Sequence, residues 1–205
     1  MDVLLIHGMG RTPLSMWRLR RRLRRAGHRA RLFGYSPTVE TLEGATQRLV
    51  RRIARETGTA PYALAGHSLG TVLIRNALAQ LEQPPAACFF LAPPMVACKA
   101  AKFFAPWWPY QRLMGEMGQR LACDAFMDAL PMPQAPTRIY AGIAGPRASW
   151  LPFGLAANDG ILSAAEASRG FESMTVWVPS LHTFIMHSRV VADDMLRVLA
   201  TLKRG

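Results

Sequence analysis

The run Gly66-His67-Ser68-Leu69-Gly70 sets a serine between two glycines, each two positions away. A serine hydroxyl is a poor nucleophile at neutral pH and needs a base within hydrogen-bond reach before it can attack an acyl carbon. The G-x-S-x-G spacing serves a strand that turns sharply into a helix. Such a turn forces the serine into unfavourable backbone angles and presses the residues two places to either side together, where a side chain would clash. The bare pattern arises by chance in on the order of a few per cent of chains this long, so context decides. Here the apolar run 62–65 precedes it and the helical run 69–81 follows it, which is the strand-turn-helix setting the chemistry requires. Ser68 is the expected nucleophile.

A histidine is the natural base, because its unperturbed pKa near 6.5 lets it accept the serine proton and then deliver it to the leaving group. His182 follows the strand-like run Thr175-Val-Trp-Val178 through Pro179-Ser-Leu181. It is expected on the loop at that strand's carboxyl end. His187 lies five residues on, inside a helix expected to begin near Thr183, where its side chain would point away. His182 is therefore the expected base, His187 a surface or partly packed helical residue, and His28 a turn residue. Charge that develops on the acyl oxygen needs two fixed donors. One is expected from the backbone N–H of Leu69, at the start of a helix whose dipole favours an anion.

The chain resembles a compact bacterial α/β-hydrolase of the lipase and esterase type. The resemblance spans nearly the whole sequence and rests on His7-Gly8-Met9-Gly10, the Gly66 to Gly70 elbow, Asn158-Asp159-Gly160 and His182, in that order. It departs from larger members in lacking the two strands that precede the His-Gly strand. The resemblance implies the chain order serine, acid, histidine, and so implies Asp159, 23 residues before His182, as the acid. Asn-Asp-Gly is also simply a turn sequence. Glu166 and Glu172 are weaker alternatives, Asp124 and Asp128 fall in an insertion, and Asp193 and Asp194 follow the histidine and are expected to be solvated. The resemblance further implies the Met9 N–H as the second oxyanion donor, with His7 shaping that loop.

These residues need a scaffold. Apolar and β-branched runs at 3–6, 30–35, 62–65, 88–91, 138–141 and Thr175–Val178 alternate with helical patterns such as Leu42, Ala45, Leu49 and Ile53. Such alternation predicts a three-layer α/β fold, a mostly parallel sheet of about six strands with helices on both faces, in one domain over 1–205. Residues 93–136 break the alternation with prolines, methionines and the cluster Phe103, Phe104, Trp107, Trp108 and Tyr110. This insertion, directly after a central strand, is expected as a short cap or lid over the carboxyl edge of the sheet, where open α/β sheets bind ligands. His7, His67, Phe103, Phe104, Trp107 and Trp108 are candidates for contact with substrate.

Composition bounds the remaining classes. The 205 residues are half apolar and carry a formal charge of +12. The dense run Arg18 to Arg25 has Met16, Leu19, Leu23 and Ala26 at helical spacing, so its arginines read as the wet face of an amphipathic helix. No aromatic residues interleave with it, and no nucleic-acid partner is expected. Cys88, Cys98 and Cys123 lack metal-type spacing and are expected as buried reduced thiols. No metal or organic cofactor is required by the chemistry. No leader or membrane-spanning run is apparent, and the expected compartment is the cytoplasm, with peripheral membrane contact a further expectation. The expected activity is hydrolysis of lipid-like or small carboxylic esters through an acyl-enzyme. The same residues would serve a thioesterase or an acyltransferase. A noncatalytic lipid- or membrane-binding protein of the same fold, docking through Trp107, Trp108, Lys99 and Lys102, is the reading from another class.

Overall fold

The computed structural model describes residues 1–202. Its strands are β1 (Asp2–Ile6), β2 (Arg29–Phe33), β3 (Tyr62–His67), β4 (Ala87–Leu91), β5 (Thr137–Gly142) and β6 (Thr175–Val178). They form one sheet in the order β2-β1-β3-β4-β5-β6, and every pairing is parallel. A parallel pair needs a crossover long enough to carry the chain back across the sheet, so helices cover both faces.

Alternate residues of each strand serve opposite faces. Leu4, Ile6, Tyr62, Leu64, Cys88, Phe90 and Ile139 join one buried apolar cluster. Val3, Leu5, Ala63, Ala65, Phe89, Leu91 and Tyr140 join the other. Helices α1 (Trp17–Arg25) and α8 (Arg189–Thr201) contribute Leu19, Leu23, Val191, Met195 and Leu199 to the second cluster. The first is packed by α2 (Leu42–Thr57), α3 (Leu69–Ala77) and three helices between β4 and β5, namely α4 (Lys99–Phe104), α5 (Trp108–Ala122) and α6 (Asp124–Ala129). In α1 the stripe Leu19 and Leu23 is buried while Arg18, Arg21, Arg24 and Arg25 are exposed, as an amphipathic surface helix requires. A short helix α7 (Ala164–Ser168), closed by a Ser163–Glu166 capping box, precedes β6.

The chain runs from β1 outward to β2 and then returns to place β3 on the other side of β1. The connections therefore diverge at β1 and β3, and their carboxyl ends flank the crevice in which open α/β sheets hold ligands.

Several expectations change. Tyr35 is not in β2, which ends at Phe33 opposite Ile6, the last residue of its one neighbour. With no strand left to pair with, the chain leaves the sheet. Residues 182–187 form a 3-10 turn and α8 begins only at Arg189, so His187 closes a turn instead of sitting within the last helix. Asp194 is buried, not solvated. It accepts from the Tyr140 hydroxyl at 2.9 Å and pairs with Arg138 and Arg197, because its place one turn after Val191 turns it to the sheet. Asp193 is exposed. Cys88 and Cys98 are buried, but Cys123, in the junction between α5 and α6, is exposed.

Residues 93–136 are held from several directions. Arg75 of α3 is buried and donates from Nε to the Pro131 carbonyl at 3.1 Å and from Nη2 to the Leu130 carbonyl. Burial pushes its pKa down to about 10, so it remains charged at neutral pH. Thr38 donates to the Leu113 carbonyl, and Glu116 accepts from the Leu42 N–H.

Candidate active site

Ser68 stands between β3 and α3 at φ 50°, ψ −120°, a left-handed conformation that costs an L-residue about 1–3 kcal/mol. The surrounding packing holds it there. The Ser68 N–H donates to the Leu91 carbonyl of β4 at 2.9 Å. A Cβ on Gly66 would lie 2.7 Å from the backbone of Gly70 and Thr71, and one on Gly70 would lie 2.6 Å from the Ile6 carbonyl oxygen. Both glycines are thus required by close backbone approach. Leu69 is the first residue of α3, where a backbone N–H has no acceptor within the helix.

The 7–10 loop after β1 packs against this elbow. A Cβ on Gly8 would come within 3.1 Å of Ser68 Cβ. His7 Nδ1–H donates to the Gly8 carbonyl at 2.9 Å while Nε2 accepts from the Tyr35 N–H at 3.4 Å. The Tyr35 ring stacks on His7 at 4.5 Å and its hydroxyl donates to the His7 carbonyl. Burial lowers the His7 pKa, against two raising backbone hydrogen bonds. His7 is therefore a neutral brace for the loop.

Asp159 and His182 meet from two loops that leave the carboxyl ends of β5 and β6. The His182 Nδ1–H donates to Asp159 Oδ2 at 2.7 Å. The other carboxylate oxygen accepts from the N–H groups of Ile161 at 2.9 Å and Leu162 at 2.7 Å, and the His182 N–H donates to the Asp159 carbonyl at 2.9 Å. Gly142, at the end of β5, lets the loops converge, since a Cβ there would lie 2.7 Å from Asp159 Cβ and 2.6 Å from the Ser180 carbonyl oxygen. Asn158 fixes the turn, accepting from the Gly160 N–H and donating to the Pro146 and Ala156 carbonyls. Asn-Asp-Gly is both a turn and the carrier of a placed acid.

An acceptor at Nδ1 fixes the proton there and leaves the His182 Nε2 lone pair free. Among the described residues no hydrogen bond joins the Ser68 hydroxyl to the ring; such bonds often tighten only when substrate enters. His67 is fully buried behind His182. It donates from Nε2 to the His182 carbonyl at 3.0 Å, with the two rings 5.1 Å apart. Burial above all, then the charge of His182, holds its pKa well below the ordinary value, so His67 is neutral. The other acids are engaged elsewhere. Glu166 accepts from Ser163 and from the Lys99 N–H, Asp124 pairs with Lys102, and Glu172 accepts from Gly170.

A cavity of about 460 Å³ opens at this site, with Met9, His67, Ser68 and His182 on its wall. Cys98, Ala101, Phe104, Tyr110, Met114 and Leu121 wall it on the side of residues 93–136, and Ile161 and Leu162 on the side of the acid loop. Of the candidates for substrate contact, His67 and Phe104 line the cavity. His7 is buried behind it, and Phe103, Trp107 and Trp108 face outward at 64%, 54% and 74% exposure. Phe103 lies on the side of α4 away from Ala101 and Trp108 on the side of α5 away from Met114, while Trp107 belongs to the junction between the two helices. Arg11 and Met114 were not singled out from sequence, Tyr110 was noted only as a member of the aromatic cluster, and Cys98 only as a buried thiol. Tyr110 and Met114 lie one turn apart before Gly115, whose φ of 56° breaks α5, and Met117 and Leu121 lie one turn apart after it, the helical spacing that marks this inner face. Among the described residues no group of three His, Cys, Asp or Glu could hold a metal ion.

The model of the alpha/beta hydrolase family matches residues 3–203. The chain belongs to the alpha/beta hydrolase family. Among solved structures, this alpha/beta hydrolase is similar to a lipase of Bacillus licheniformis in its mature form, at 14% identity and a TM-score of 0.74, covering 97% of this chain and 91% of that one. It is also similar to a methylesterase of Arabidopsis, at 13% identity and a TM-score of 0.67, covering 98% and 99%. A thioesterase of the prodiginine biosynthetic pathway in Streptomyces coelicolor aligns at 17% identity and a TM-score of 0.63, covering 98% and 90%. At these identities the likeness is one of fold. No curated protein matches the sequence.

Proposed function

We propose that this alpha/beta hydrolase cleaves carboxylic esters through an acyl-enzyme, with Ser68 as nucleophile, His182 as base and Asp159 as the acid that orients it. The observation that carries the reading is that His182 lines the same cavity as a serine held at positive φ while its Nδ1 lies 2.7 Å from the buried Asp159 carboxylate. Ser68 Oγ attacks the acyl carbon while its proton passes to His182 Nε2. The carbonyl electron pair moves onto the oxygen, where the N–H groups of Leu69 and Met9 receive it. Collapse of the intermediate breaks the ester C–O bond, and the proton on His182 goes to the departing alcohol. Water repeats the sequence and frees the acid.

The apolar wall from α4 and α5 favours an alkyl acyl chain, and the lipase and methylesterase among the similar structures agree with ester chemistry. Residues 93–136 act in this reading as a cap on one domain. Phe103, Trp107, Trp108 and Leu113, all exposed beside the cavity, favour lipid-like esters met at a membrane surface. No helix among the described residues is long and apolar enough to cross a membrane.

The test is hydrolysis of p-nitrophenyl esters of rising acyl length by wild type and Ser68→Ala. Turnover that the variant loses by about 10⁴-fold or more supports the reading, and turnover that survives contradicts it. Thioester substrates and an added alcohol acceptor in the same assay separate thioesterase and acyltransferase activity from ester hydrolysis.

A further inference from the structure

Arg11 follows the 7–10 loop and lines the cavity together with Met9, His182 and Thr183. It is partly buried, and it is the one lysine, arginine, aspartate or glutamate on that wall. Other partly buried basic groups of the protein have partners: Arg31, Arg52 and Arg138 pair with carboxylates, and Arg20 and Arg22 donate to the Ala30 and Ser188 carbonyls. Among the described residues Arg11 joins no ion pair and donates no hydrogen bond. The one acid at the site cannot serve it, because Asp159 gives one oxygen to His182 and the other to two backbone N–H groups. An arginine on the cavity wall with no carboxylate of its own is open to a ligand, and its guanidinium matches the planar geometry of a carboxylate or phosphate.

Its place sets which part of a substrate it meets. Arg11 shares the cavity wall with His182 and Thr183 and lies in electrostatic reach of His67, whose ring packs 5.1 Å from that of His182. Burial first, then Arg18, Arg11 and Arg22, lower the pKa of His187, and no carboxylate offsets them. Arg11 places a positive charge on the rim that also carries His182 and Thr183, whereas Phe104, Tyr110, Met114 and Leu121 give the cavity an apolar wall. His182 hands its proton to the leaving group, so the leaving group lies on the side of the cavity that Arg11 shares with His182.

We propose that Arg11 determines specificity by binding an anionic group, a phosphate or a carboxylate, on the leaving-group portion of the acyl substrate. The inference rests on the ester-hydrolase reading and names its substrate class. The fixed positive charge of the rim also steers anions to the cleft from solution.

The test compares 4-nitrophenyl octanoate with 4-nitro-3-(octanoyloxy)benzoic acid, whose nitrophenol leaving group bears a carboxylate. Wild type favours the anionic ester in kcat/KM, and the preference shrinks at high salt. In Arg11→Gln the ratio of the two falls about tenfold, and Arg11→Lys restores part of it. A wild-type ratio at or below unity, or an unchanged ratio in Arg11→Gln, overturns the assignment. Because each ratio is taken within one variant, a loss of folded protein cancels. Loss of all ester turnover would sink the ester-hydrolase reading instead, and titration with octyl phosphate then reads the anion site without turnover. Binding weakened about tenfold or more by Arg11→Gln supports the site, and equal affinity refutes it. Sedimentation with phosphatidylglycerol vesicles separates a bilayer headgroup from a soluble phosphate: dependence on Arg11 in one setting assigns that source, and dependence in neither refutes the site.

Discussion

At the scale of residues, Asp159 has two tasks that one substitution can separate. Its Oδ1 holds the 159–162 turn through the N–H groups of Ile161 and Leu162, while Oδ2 holds the His182 tautomer. Asp159→Asn keeps an oxygen for the turn but presents an amide to Nδ1, which favours the wrong tautomer. Ester turnover is expected to fall by about 10⁴-fold with little change in circular dichroism. A loss below tenfold would mean that Asp159 is structural only. Ser68 and His182 were candidates from short patterns with a geometric reason, the elbow and the strand-end histidine, and Asp159 through the family resemblance; the structure brings Asp159 and His182 into one hydrogen bond. Arg11 was not a candidate, because nothing in one arginine beside a glycine-rich loop tells that its neighbours leave it without a carboxylate. His67 hid inside the elbow pattern, and only the structure reveals that its Nε2–H holds the His182 carbonyl.

At the scale of elements, α4 and α5 present two faces. Ala101, Phe104, Tyr110, Met114 and Leu121 turn to the cavity, while Phe103, Trp107, Trp108 and Leu113 turn to solvent. Phe104 joins the faces, in contact with Phe103 at 5.0 Å and Trp107 at 5.7 Å between ring centroids. Exposed aromatic residues of this density are favoured at a membrane interface. Wild type is expected to co-sediment with phosphatidylglycerol vesicles, and the double substitution Trp107→Ser, Trp108→Ser to remain in the supernatant while cleaving a soluble short-chain ester. Equal sedimentation of the two proteins would remove the aromatic face from any role in docking. The sequence located this cluster but not its division, because a tally of aromatics ignores helical phase. Likewise the boundaries of β2 and the last helix depend on partners that only the assembled sheet supplies: β2 stops where β1 stops, and the 3-10 turn at 182–187 delays α8.

At the scale of the whole molecule, the strand count and the alternation of strands and helices were legible, since short continuous apolar runs bounded by helical stripes are the pattern of parallel strands covered on both faces. The net charge of +12 found its place mostly on exposed helix faces. Acid sensitivity is also a property of the whole. His67, His7 and His187 have folded-state pKa values below the ordinary 6.5, each chiefly through burial. The unfolded chain therefore binds more protons than the folded one as pH falls below about 6.5. Their contribution to stability is present above that pH and is lost as pH falls towards the folded values. The melting temperature is expected to decline from pH 7 to pH 5, with a shallower decline in His67→Gln, whose amide can still donate to the His182 carbonyl. A flat profile in wild type would contradict the burial of these rings as neutral groups.

The most direct test of the central claim is intact-mass and peptide analysis after reaction with a fluorophosphonate. The wild-type protein should gain one phosphonyl group, located on Ser68, and His182→Ala should react at least a hundredfold more slowly because the hydroxyl then has no base. No labelling, labelling at another residue, or an equal rate in His182→Ala would contradict a serine nucleophile activated by this histidine.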